Sequence, residues 1–322
     1  MAAPGILGNG SGVAKQMDVQ MPEALEQPLA SSNHALVPLA TLADPCGLLA
    51  AWVDGIASEV VPVGDRALHY GDAVFTTIRV HAQQPCWIED HLHRLLLACS
   101  GLRVPQPDWA LLRAEIERAA ACERAAIVKV LLSRGDGTRG YAPHGASGRR
   151  LVMSYAASVV ETDTYVNGVQ IRFADLVLSE QPLLAGLKHA NRLEQVMARA
   201  EWNDSSIAEA LLCDAAGRVI SATAANVFAR FGTELRTPAL DRAGVAGVCR
   251  QRVLQSPPAG FSVTVADMPR AQFFAADELF LSNAVRGIVP VRALGNHCYD
   301  SHRAARLLMQ AMHPALGLPT PE

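Results

Sequence analysis

The chain has 322 residues, half of them hydrophobic, and a formal charge of −3 at pH 7. That length can fill more than one ordinary core, and the small charge offers no field to gather nucleic acid or an anionic membrane surface. Small-molecule partners are therefore expected. Seven cysteines (Cys46, Cys86, Cys99, Cys122, Cys213, Cys249 and Cys298) are scattered, odd in number and never spaced C-x-x-C. This predicts buried thiols in a reducing compartment, with no disulfide framework, and places the protein in the cytoplasm. No apolar run reaches the ~18 residues of a membrane span, and the N-terminus lacks the basic-then-apolar order of a secretion signal.

Residues 1–48 are rich in Gly, Ala, Pro and Ser without sustained period, so an extension with little order is expected there. A small α/β domain is read over 49–157. It holds strands at 52–53, 59–63 and 73–80, helices at 91–102 and 108–122, and strands at 126–133 and 150–156. Asp108 suits the N-cap of the second helix, whose Leu112, Ile116 and Ala120 share a face. Residues 158–166 form the interdomain connection. A large domain over 167–322 follows, with strands at 169–174, 209–214, 218–222, 226–231, 262–266 and 278–282. Its helices are placed at 191–202, from Gly247, and at 302–313, and a turn at 215–217 joins two of its strands. The class is α+β, lacking the regular βαβ rhythm of a doubly wound sheet.

Several chemistries drop out. Gly135 to Gly140 fits G-x-G-x-x-G, yet Pro143 and Gly145 follow where a nucleotide-binding helix would have to start. His91 and His93 lie two apart in a helical stretch and point in different directions, so no metal is expected. No G-x-S-x-G or Walker lysine is present.

Lysine usage is more informative. Of 28 basic residues only Lys15, Lys129 and Lys188 are lysines, a bias that base composition of the genome explains but that leaves few candidate amines. Lys129 falls within a strand, opposite the face of Val128, Val130 and Leu132, and suits a strand lysine reaching solvent or a cleft. Lys188 follows an apolar segment, Leu183 to Leu187, suited to the desolvation an amine nucleophile needs.

Directly after Lys188 comes His189-Ala190-Asn191-Arg192-Leu193-Glu194-Gln195-Val196. This segment resembles the lysine segment of fold type IV pyridoxal-phosphate enzymes, the group that includes D-amino-acid and branched-chain aminotransferases. Four further segments resemble the same family in the same order: Asp65-Arg66 with Gly71 to Thr77, His91 to Leu95, Ser133 to Tyr141, and Ala224 to Phe228. The resemblance spans about Trp52 to Ala293 and implies a two-domain α+β enzyme working as a homodimer. Branched-chain transaminases carry F-E-G-I-R where this chain has Phe75-Thr76-Thr77-Ile78-Arg79. The lyases of the family that act on 4-amino-4-deoxychorismate are more similar at both places. The implied reaction gives 4-aminobenzoate and pyruvate, toward folate, with an aminotransferase as the alternative and a cofactor-free binding module as a third reading.

By the same resemblance, Lys188 is the Schiff-base partner of pyridoxal 5'-phosphate. Arg94 contacts the phosphate, a dianion that a guanidinium fork suits better than an ammonium does, and the helix start at Gly247 and Val248 adds backbone amides beside Asn283. Arg139 and Tyr141 bind a substrate carboxylate; Lys129, Arg286 or a partner-subunit residue holds the second. One position departs from the family: Ser221 stands where a glutamate usually pairs with the pyridine nitrogen. A hydroxyl makes the ring a weaker electron sink than a carboxylate does, which should hurt transamination more than an elimination that ends in an aromatic ring.

Overall fold

In the computed structural model, residues 47–157 and 161–321 are described. The expected N-terminal extension lies almost wholly outside the described residues, as do 158–160 of the expected connection.

A turn at Asp54-Gly55, with φ of 51° and 84°, folds β1 (Leu48–Val53) onto β2 (Ile56–Ala57). The strand expected at 59–63 does not form. The hairpin has already closed by then, and Val60 and Val63, 74% and 82% exposed, have no neighbouring strand to pair with. A helix the sequence reading missed, α1 (Arg66–Tyr70), is capped by Asp65, whose Oδ1 accepts from the Ala67 N–H at 2.8 Å. Then follow β3 (Ala73–His81), β4 (Gln84–Pro85), α2 (Ile88–Leu102), α3 (Trp109–Ala120), β5 (Ala126–Ser133) and β6 (Arg149–Ala156). Asp108 caps α3 as expected, accepting from Ala110 and Leu111 N–H.

The six strands form one antiparallel sheet ordered β2-β1-β6-β5-β3-β4. Val74, Ile78, Val128, Val130 and Leu132 pack against Leu95 and Cys99 of α2 and Leu112 and Ile116 of α3. Because side chains alternate along a strand, this burial leaves Phe75, Thr77 and Lys129 on the opposite face. Thr77 and Lys129 are direct cross-strand partners.

After α4 (Asp163–Val166) the chain builds a second sheet from β7 (Val169–Leu178), β8 (Ile207–Asp214), β9 (Val219–Ala222), β10 (Asn226–Phe231), β11 (Glu234–Pro238), β12 (Ser262–Ala266), β13 (Glu278–Asn283), β14 (Gly287–Leu294) and β15 (His297–Cys298). Its order is β12-β11-β10-β13-β14-β7-β8-β9, with β15 on β14. Parallel pairs (β7 with β8 and β14, β11 with β12) are mixed with antiparallel ones, which is the fold type IV, α+β arrangement. The sequence reading missed β11, β14 and the short α7 (Arg270–Phe274). β14 is apolar at seven of its eight positions including Pro290, so it shows no alternation by which to recognise it.

The longer helices of this half are α5 (Leu193–Arg199), α6 (Val248–Gln255) and α8 (Arg303–Leu316). The α8 helix runs past the expected end at 313, through Pro314, and ends at Gly317, φ 59°. Its first amides, Ala304 and Ala305, donate to the buried Glu278 carboxylate at 3.1 and 2.8 Å, satisfying donors that a helix start leaves open. No helix of the described residues is long and apolar enough to cross a membrane.

Arg79 joins the two sheets' regions. Its Nε donates to the Leu316 carbonyl at 2.6 Å and its Nη1 to the Val285 carbonyl at 3.1 Å, and the side chain is buried. Replacing Arg79 with Met removes both bonds and should cost roughly 2–4 kcal/mol in urea denaturation. An unchanged midpoint would show that the link carries little of the stability.

Candidate active site

The apolar stretch before Lys188 is not a strand. Gln181 starts a turn, its carbonyl accepting from Leu184 and Ala185 N–H at 2.9 and 3.0 Å, and Gly186 then exchanges hydrogen bonds with Gly244 and Ala246. From there the chain lies antiparallel against the start of β3. Phe75 N–H donates to the Lys188 carbonyl at 2.9 Å, Ala190 N–H donates to the Ala73 carbonyl at 2.8 Å, and His189 bridges to Val74. Fixed this way, Lys188 sets its Nζ 4.4 Å from the centre of the Phe75 ring, and Lys129 approaches the same ring at 5.5 Å. Burial pushes the Lys188 amine down to about 7, aided by the positive charges of Arg94, Arg192 and Lys129.

Arg94 stands near this amine, on α2. Its Nη2 donates to the Thr76 hydroxyl, its Nε is buried without a partner among the described residues, and burial lowers its pKa to about 10. The Thr76 hydroxyl in turn reaches His91 Nδ1 at 2.7 Å. Burial, then Arg94 and Lys188, hold His91 well below the usual histidine range. The ring is therefore neutral, and its Nε2 has no partner among the described residues. His93, two residues on, is exposed, as the helical spacing predicted.

Gly247 and Val248 lie at the start of α6. Asn226 accepts from the Gly247 N–H at 3.1 Å and donates to the Val245 carbonyl at 2.9 Å. A Cβ at Gly247 would run into Asn226 Oδ1, so the chain can make this approach only with glycine there. Asn226 pairs with Ser282, whose buried hydroxyl has no partner among the described residues, and Asn283 follows. The last turn of α6 is tied to the first turn of α2 by the Arg252–Asp90 ion pair. The segment leading into Gly247 pairs with Gly186, two residues before Lys188, and Arg94 acts on the Lys188 amine.

These residues fit a phosphorylated aldehyde such as pyridoxal phosphate. A desolvated amine can form the covalent link, and an arginine with an unused donor can meet the dianion. Orphaned hydroxyl and imidazole groups, Ser282 and His91, and a helix start kept open by Gly247 complete the fit.

Other expected site residues are placed differently. Asn283 engages its side chain with two connections, donating to the Ala224 carbonyl between β9 and β10 at 2.5 Å and accepting from Val285 and Arg286 N–H just after it. Ser221 is buried in β9, opposite Leu212. Nearby, Glu209 is also buried and accepts from Thr223, with Arg286 at 3.9 Å. Burial pushes this carboxyl up in pKa. Arg139 and Tyr141 sit on an exposed loop, Tyr141 86% exposed. The sequence reading missed Phe75 as the shelf for two amines and the Thr76–His91 pair. The alternation within β3 was the available signal, since it puts residues 75 and 76 on opposite faces.

Comparison with known proteins agrees with this geometry. Residues 73–294 match the family model described as amino-transferase class IV. An aminodeoxychorismate lyase from Vibrio harveyi is 36% identical over 245 residues, 76% of this chain and 90% of that protein. The crystal structure of 4-amino-4-deoxychorismate lyase from Pseudomonas aeruginosa superposes with a TM-score of 0.79 at 39% identity, covering 82% of this chain and 98% of the other. A branched-chain amino acid aminotransferase from T.th., solved with pyridoxamine 5'-phosphate, shares the fold at 21% identity and a TM-score of 0.73, over 84% of this chain and 94% of that one. The chain thus belongs to the amino-transferase class IV family, as a homologue of the aminodeoxychorismate lyases.

Proposed function

We propose that the protein converts 4-amino-4-deoxychorismate to 4-aminobenzoate and pyruvate, with pyridoxal 5'-phosphate held by Lys188. The observation that carries this reading is the desolvated Lys188 amine beside Arg94, in a chain 36–39% identical to lyases of that name. Arg94, the Val248 amide and the Ser282 hydroxyl are assigned to the phosphate, with Gly247, whose own N–H is held by Asn226, giving the chain room to approach. Ser221 is assigned to the pyridine nitrogen. Lys129 and the Arg139–Tyr141 loop are assigned to substrate carboxylates. Bound there, the cofactor supplies an electron-withdrawing ring conjugated to the substrate nitrogen.

The protein's own share is proton movement and orientation. With its pKa near ambient pH, Lys188 can both take and return a proton. It removes the proton from the amine-bearing ring carbon. The ether C–O bond then breaks, the ring becomes aromatic, and Lys188 delivers the proton to the methylene carbon of the departing enolpyruvate. Atoms balance without an added oxidant or water. The aromatic product provides the driving force, so this reaction tolerates the weaker sink that Ser221 implies.

We further read the protein as a cytoplasmic homodimer of two-domain subunits, serving folate synthesis. The six cysteines among the described residues are free. Leu193, Val196 and Met197 of α5 expose apolar surface of the kind a partner subunit covers.

Incubation with 4-amino-4-deoxychorismate should yield 4-aminobenzoate fluorescence together with pyruvate, and Lys188→Ala should abolish both turnover and the visible absorbance of the loaded cofactor. Retained absorbance in Lys188→Ala would remove Lys188 from its role. Ser221→Glu should raise side transamination with 2-oxoglutarate; no rise would mean that Ser221 does not select the reaction.

The amine also makes apoprotein stability depend on pH. An unfolded lysine keeps its proton to pH ~10.4, whereas folded Lys188 releases it near 7. The cost of the buried charge is thus fully present below pH 7 and fades as pH rises from 7 toward 10. Lys188→Met should therefore stabilise the apoprotein at pH 6.5, with an advantage that shrinks by about 2–3 kcal/mol at pH 9. Equal advantages at both pH values would contradict a depressed pKa.

A further inference from the structure

We infer that Arg66 is the positioning residue for the loop that carries Arg139 and Tyr141, and so governs how tightly that loop engages substrate; the inference rests on the lyase reading above. The loop joins β5 to β6 over residues 134–148 and contains no helix or strand of its own. Connections of this length are ordinarily mobile unless tied down. Arg66 is the tie. It is 4% exposed, and all three of its guanidinium nitrogens are engaged: Nε to Asp72 Oδ2 at 2.8 Å, Nη1 to the Gly140 carbonyl at 2.9 Å and Nη2 to the Tyr141 carbonyl at 3.2 Å. The guanidinium also lies over the Tyr70 ring at 4.8 Å, and Tyr70 meets the Tyr141 ring edge-on at 5.5 Å.

The other end of this tie is the lysine segment. Asp72 Oδ2 also accepts from Arg134 Nε at 2.7 Å, fixing the root of the loop, and burial's tendency to raise the Asp72 pKa is outweighed by its two arginines. The next residue, Ala73, accepts the Ala190 N–H that holds the chain beside Lys188. Arg66 thus connects the backbone at 140–141 to the backbone at 188–190 through one carboxylate. A planar, permanently charged fork can serve two carbonyls and a carboxylate at once, which an ammonium cannot match. Arg66 touches the loop's carbonyls and not the reacting atoms, so its effect should fall on substrate binding more than on turnover.

The test uses the full-length, cofactor-loaded protein with Arg66→Lys. Hydrogen–deuterium exchange of the amides over 138–142 should quicken about tenfold, KM should rise about tenfold, and kcat and the cofactor's visible absorbance should stay within about twofold. Gly137→Ala is the second variant. A Cβ there would lie 2.9 Å from Arg66 Cδ, pushing the side chain from its seat without deleting it, and should give the same signature if Arg66→Lys fails to fold. Unchanged loop exchange overturns the proposal. So does faster exchange with an unmoved KM, or a parallel loss of kcat and cofactor absorbance, which would mark Arg66 as merely structural. A wild-type protein that makes no 4-aminobenzoate defeats the lyase reading instead, and the exchange measurement still reports separately on the tie.

Discussion

Everything at the site depends on three residues of extended chain, 188–190, lying against the first residues of β3. Two backbone hydrogen bonds, Phe75 N–H to Lys188 and Ala190 N–H to Ala73, fix the segment. Alternation along an extended chain then sends consecutive side chains to opposite sides. Lys188 is placed over the Phe75 ring, while His189 turns away to pair with Arg192, accepting its Nη2 proton at Nε2. Burial, then Arg192, pushes His189 down to about 4, so it is neutral and adds no further charge beside the amine.

Electrostatics then follows from placement. The charged groups acting on the Lys188 amine are Arg94, Arg192 and Lys129, all positive. Gathering cations around a desolvated amine is unfavourable for the protein by itself. It becomes useful when anions arrive: a phosphate dianion and a substrate with two carboxylates would each find unspent positive charge. The same cluster that lowers the amine's pKa is therefore the attraction for what the proposed reaction needs. A site that must release a proton near neutral pH and bind polyanions can meet both demands with one set of side chains.

The family's scaffold accommodates transaminases as well as lyases, so fold alone does not choose between them. What distinguishes this chain is local. Thr76 and Thr77 replace the E-G of the transaminase signature, and Thr76 is spent on Arg94 and His91. Ser221, buried in β9, is the residue we assign to the ring nitrogen, a hydroxyl in place of a carboxylate. Both changes lie within strands whose backbone the fold preserves.

Much of this was legible in the sequence because it depends on local rules. Period-2 alternation put Lys129 on the face opposite Val128, Val130 and Leu132, Asp108 announced α3, and the residues after Lys188 carried the family. The strand expected at 59–63 failed because β propensity requires a neighbour, and the hairpin turn at 54–55 had already used it. β14 went unrecognised because a strand covered on both faces has no alternation to detect. Asn283, read as a phosphate neighbour, bonds Ala224 of another connection as well as Val285 and Arg286 of its own. Which cations surround Lys188, why its amine is desolvated, and that Arg66 reaches Gly140 and Tyr141 more than seventy residues away were decided by tertiary structure alone. The sequence by itself determined which groups are available and on which face of their own element each lies. Their distances, burial and mutual charge arise only when segments remote in sequence are brought together, and those quantities set a pKa.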